Sequence, residues 1–133
     1  MRGKCLVFIC LFCGLAAVAG AQSVFDMPRL FPQHRRTLAR FMAAAQRGDL
    51  TEAEAAARAG AKLFPRDANW HYNVACACAR GGRPEEAMAW LGKAVDLGFT
   101  DLRQLEGDAD LASLRGRADF KALLVRAKAL AAN

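Results

Sequence analysis

Apolar and polar positions alternate with a helical period over almost all of the chain beyond residue 33. Leu38, Phe41, Met42 and Ala45 form one stripe, with Arg36, Arg40 and Arg47 away from it, which predicts a helix over 34–47. Gly48 stops it, because glycine tolerates the left-handed backbone used at such stops. Asp49, followed three residues later by Glu52, makes a capping box for a second helix over 50–63. That helix is close to an alanine ladder (Ala53, Ala55, Ala56, Ala57, Ala59, Ala61), with high helix propensity and side chains small enough for a neighbour to approach closely. Pro65 ends it. Asp67 caps a third helix that turns Trp70, Val74, Ala75, Cys78 and Ala79 inward and stops at Gly81-Gly82. Pro84 opens a fourth, where its missing N–H is harmless, and Glu85 and Glu86 suit the positive end of the helix dipole. Ala87, Trp90, Leu91, Ala94, Val95 and Leu97 make the buried side of this helix before Gly98 ends it, and both tryptophans read as core.

Further on, the pattern predicts short helices over 101–106 and 108–115 and a longer one over 117–131. The last places Phe120, Leu123, Leu124, Ala127 and Leu130 on one face. The fold class is all-α.

Sliding the chain against itself by 34 residues matches Ala43 to Ala77, Ala45 to Ala79, Gly48 to Gly82 and Glu52 to Glu86. It also matches Ala53 to Ala87, Ala55 to Ala89, Leu63 to Leu97 and Asp67 to Asp101. A helix–turn–helix unit at this period is the mark of a tetratricopeptide array. Trp70, Val74, Ala75, the run GRPEEA at 82–87, Leu91, Ala94 and Leu97 resemble that family, most strongly in the second unit. The run LGFTDLRQLEGDADLASLRGRADFKALL is similar to the closing segments of bacterial tetratricopeptide arrays. Only Gly116 keeps register with Gly82 there, and Phe120 and Lys121 stand where a Glu-Ala pair would follow.

The resemblance implies an α-solenoid of two helical hairpins, residues 34–66 and 67–100, with a capping segment over 101–133 that covers the last apolar face. It implies a binding protein that is not an enzyme and uses no cofactor or metal. Its partner would be another protein or peptide, held on a concave face lined by Arg36, Arg40, Asn69, Tyr72, Asn73, Cys76 and Arg80. Some relatives grip a peptide's terminal carboxylate with an asparagine and lysines. Asn73 sits where that asparagine would, but neither first helix carries a lysine, and Arg40 or Arg80 would have to substitute. The alternative is a self-associating scaffold of the envelope that leaves the groove unused.

The N-terminal segment changes the setting. Arg2 and Lys4 precede an apolar run over 5–19, and Ala19-Gly20-Ala21 offers small residues for signal cleavage before Gln22. Residues 1–21 thus read as an export signal, giving a periplasmic or secreted protein with no stable membrane insertion. A retained anchor is the alternative, although the run is short for a span of about 20 residues. Residues 22–33, with Pro28 and Pro32, read as an extended leader along the first helix, with Phe25, Leu30 and Phe31 available to cover its apolar flank. Cleavage lowers the net charge from +6 to +4, so part of the basicity belongs to export, and nucleic acid is not the expected partner. It also removes Cys5, Cys10 and Cys13. Cys76 and Cys78, two apart on one helix, point to roughly opposite sides and read as small packing residues.

Catalysis needs acid, base, nucleophile or metal ligands that converge. His34 and His71 fall in different units with no carboxylate at metal-ligand spacing. Asp108 and Asp110 are explained by capping, and Ser113 stands outside any nucleophile motif.

Overall fold

The computed structural model describes the backbone of residues 27–133 and the side chains from Phe31 onward. The export signal, the first part of the leader, and the side chains of Phe25 and Leu30 lie outside the described residues. The described chain is helical, with no strand. In order come α1 (Met27–Arg47), α2 (Leu50–Leu63), α3 (Ala68–Arg80), α4 (Pro84–Asp96), α5 (Leu102–Gly107), a 3₁₀ helix η1 (Ala109–Leu114) and α6 (Ala118–Ala131). Among these residues no helix is long and apolar enough to cross a membrane.

Most predicted boundaries fall within a residue or two of the observed ones. The first does not. Residues 27–33 are helical and not extended, so α1 starts seven residues before the predicted position. Pro28 lies in the first turn, where no intrahelical N–H bond is due, and Pro32 removes a single bond from the interior without ending the helix. Phe31 is 52% exposed and does not cover the flank of α1.

Three stops share one construction. Gly48, Gly82 and Gly98 have φ of 72°, 73° and 99°. After each, the next residue's N–H reaches back five positions: Asp49 to the Ala44 carbonyl at 3.0 Å, Arg83 to Cys78 at 3.0 Å and Phe99 to Ala94 at 2.9 Å. This is the Schellman arrangement, which satisfies carbonyls that the helix end would otherwise orphan. Asp49, Asp67 and Asp101 cap α2, α3 and α5 through side-chain oxygens that accept backbone N–H groups, all at 3.0 Å.

Helix α1 packs on α2, α2 on α3, α3 on α4 and α4 on α6, with η1 laid against α3 and α4. Trp70 ties the first three together. Its ring is 1% exposed and meets Phe41 edge-on at 6.0 Å and His34 at 5.7 Å. On its other side lies Gly60 of α2, where a Cβ would fall 2.2 Å from the indole. Trp90, by contrast, is half-buried. It stacks on His71 at 5.5 Å and carries Arg58 and Lys93 over its ring. Four charges join α2 to the start of α4: Arg58 pairs with Glu54 and Glu86, and Arg83 pairs with the same two carboxylates.

The segment after residue 100 departs from the repeat less than its sequence suggests. Helices α2, α4 and α6 begin at 50, 84 and 118, and α3 and α5 begin at 68 and 102, always 34 apart. Residues 102–114 form two short elements, α5 and η1, that meet at Gly107-Asp108. Leu105, Leu111, Leu114 and Phe120 anchor this part with 0–1% exposure. Leu130, predicted on the buried face of α6, is 44% exposed in the last turn of that helix.

Candidate partner-binding face

The seven residues assigned to a concave face separate into two groups. Tyr72, Cys76 and Arg80 lie along one side of α3, and the chain's own residues 108–110 cover that side. The Tyr72 hydroxyl donates to Asp108 Oδ2 at 2.6 Å, and its ring stacks on Phe99 at 4.2 Å. The Cys76 thiol points at the same oxygen from 3.8 Å, and Arg80 Nε lies 3.5 Å from Asp110 Oδ1. Tyr72 and Cys76 are buried, which corrects their assignment to an open groove. The cause is the break at Gly107-Asp108, which turns the Asp108 side chain back onto α3. Its second oxygen caps η1 by accepting the Asp110 N–H at 2.9 Å, while Arg115 Nη2 donates to its backbone carbonyl at 2.6 Å.

Burial pushes both the Tyr72 hydroxyl and the Cys76 thiol above their usual ranges, and the charges of Asp108 and Asp110 reinforce this for the thiol. Both groups are neutral donors at neutral pH. Cys76, Asp108 and Asp110 do bring three potential ligand atoms within 4.8 Å of one another, a grouping the sequence reading missed because the residues are 32 and 34 positions apart. Every one of these groups already has an internal role, and the Arg80 guanidinium would repel a cation placed among them. Cys78, facing the opposite way, is buried and free, as the packing role of both cysteines predicts.

Arg36, Arg40, Asn69 and Asn73 form the second group. Asn69 is half-buried and occupied, its amide donating to Asp67 Oδ1 at 3.1 Å beside the cap of α3. Asn73 is half-buried. Arg40 Nε donates to Glu52 on α2, yet half of the arginine side chain stays exposed. Arg36 is exposed and, among the described residues, pairs with nothing. The accessible part of the assigned surface is thus the outward side of α1 that carries Arg36 and Arg40, with Asn73 of α3 half-buried.

His71 is the other buried polar residue. Its Nε2 lies 2.8 Å from the Pro65 carbonyl, which can only accept, so Nε2 carries the hydrogen and Nδ1 is left unprotonated with no partner. Burial holds its pKa below the ordinary histidine value, and nearby Lys93 adds to the effect. His34, on α1, faces Asp67 at 3.4 Å, so the two histidines serve different elements. No protein-family model, curated protein or solved structure matches this chain.

Proposed function

We propose that this chain is an exported, non-catalytic adaptor of the tetratricopeptide kind that binds another protein or peptide. The observation that carries the reading is the fixed 34-residue spacing of helix starts, 50, 84 and 118 on one side and 68 and 102 on the other. A chain built from stacked helical units presents a side-chain surface and not a cleft, and that architecture serves recognition. The described titratable groups favour the same reading, since Tyr72 and Cys76 bond to Asp108, Asp110 pairs with Arg80 and His71 bonds to a backbone carbonyl.

A self-associating scaffold is the second reading. Its support is Val125 and Leu130 on α6, 71% and 44% exposed. Five residues apart on a helix, they are rotated by about 140° from each other, so they do not form a stripe that a second copy could cover. The adaptor reading is preferred for that reason.

The test is native capture with a C-terminally tagged full-length chain from its own cells, reading the intact mass of the bait. The adaptor reading expects a bait beginning at Gln22 and a distinct protein enriched with it. Capture of untagged copies of the chain alone would transfer support to the scaffold. A bait retaining Met1 would overturn the export reading.

A further inference from the structure

We propose that the outward side of α1 is the docking surface and that its partner is an acidic protein segment, a run of Asp and Glu side chains in extended conformation. The inference rests on the protein-binding reading above and names the chemistry of the partner.

The charge of the described chain is unevenly placed. Residues 27–66 carry eight Lys and Arg against three Asp and Glu, whereas residues 67–133 carry nine of each. All of the net positive charge therefore sits on α1, α2 and the turn after them. Within α1 itself there are five arginines and no acidic residue across 21 positions. Arg35 and Arg36 are exposed and have no partner among the described residues. Solvated arginines interspersed with acids would need no explanation. Arg40 is paired with Glu52 of α2, and the other arginines, on a helix with no acid of its own, leave a positive field that attracts carboxylates and raises association rates.

Geometry selects a linear ligand. Arg36, Arg40 and Arg47 follow one line along the helix, with Ala39, exposed, and Ala43, half-buried, beside it. These small residues allow a chain to lie close. Arg36 and Arg40 are about 6 Å apart along the axis at 1.5 Å per residue. Side chains on one side of an extended peptide recur at about 6.6 Å, nearly the same interval. Two same-side acidic side chains of an extended segment therefore match Arg36 and Arg40, with Arg47 about 10.5 Å further along, and the planar fork of a guanidinium suits a carboxylate. The neighbouring side of α3 offers no competing acid-binding site, since Asp108 and Asp110 already occupy it.

The probe is a labelled ten-residue oligoglutamate peptide, titrated into the protein purified from its own cells and read by fluorescence anisotropy. Binding should weaken as salt rises, and the double variant Arg35→Glu/Arg36→Glu should lose about tenfold or more in affinity. Lys121→Glu/Lys128→Glu makes the same change in net charge on exposed positions of α6 and should leave affinity within about twofold. Equal losses in the two variants would reduce the effect to net charge and overturn the proposal. So would absence of peptide binding, or tighter binding to phosphatidylglycerol vesicles than to the peptide. Cellular capture with the same variants separates this inference from the reading beneath it. If the Arg35/Arg36 variant retains the proteins captured by the unaltered chain, the α1 surface is wrong and protein binding stands. If the unaltered chain captures nothing, protein binding itself fails.

Discussion

Trp70 and Gly60 show how one pair of residues fixes the approach of two helices. The indole fills the space that any side chain at position 60 would need, so α2 and α3 meet at a distance only glycine permits. Gly60→Ala should destabilise the fold by about 1–3 kcal/mol, because the ring is fully buried and cannot move aside. Thermal unfolding would show a midpoint lower by several degrees, and an unchanged midpoint would mean the contact is looser than described. Trp70 was legible as core from its place in the repeat. Gly60 was not, since within an alanine ladder a glycine reads as one more small residue until its neighbour is known. His71 makes a second residue-scale prediction. Its pKa is depressed in the folded state, so below the ordinary value of 6.5 the unfolded chain takes up the proton first and stability falls. Stability is complete above that value and declines as pH drops below it. Replacing His71 with Gln should flatten this part of the profile, and a slope that persists unchanged would assign it to another group.

Among the elements, α1 departs most from its predicted bounds, whereas α5 and η1 lie within a residue or so of theirs. Helix starts keep the 34-residue period, but the buried residues of α6 do not. Phe120, Leu124 and Ala127 take the places of Ala87, Leu91 and Ala94 at an interval of 33. At one fixed shift helix starts and core positions drift apart, which is why the segment after residue 100 reads as a cap. The break at Asp108 adds to this, since the sequence signal of that residue is only that of a helix cap. Three fully buried leucines hold α5 and η1 in place, which makes them part of the core and not a removable cover. Removing the Tyr72 hydroxyl should loosen them. Tyr72→Phe should cost about 1–2 kcal/mol by depriving the Asp108 carboxylate of its donor. Amide exchange over 102–114 should then quicken more than exchange in α1 and α2. Equal exchange in the variant and the unaltered chain would show that the leucines alone position the segment.

For the whole molecule, the sequence carried the all-helical fold class, the helix bounds after residue 48 and the short turns, because periodicity and glycine stops are local signals. The accessible surface was less legible, since which side of α3 is open depends on a segment more than 30 residues away. Tyr72, Cys76 and Arg80 were placed in a groove by resemblance, and the chain's own aspartates close that side. What stays open is α1, and with it all the net charge of the described chain. Raising salt from 50 to 500 mM should therefore weaken client capture markedly, since exposed charges are screened beyond about 4 Å at the higher value. Capture indifferent to salt would point to an apolar contact instead.

The most direct test places a photo-crosslinking amino acid, in the cell, at one of two exposed positions: Ala39 on the outward side of α1 or Val125 on α6. If α1 is the docking surface, irradiation yields a protein adduct from Ala39 and none from Val125. Adducts from Val125 alone, whether with a client or with a second copy of the chain, would contradict it.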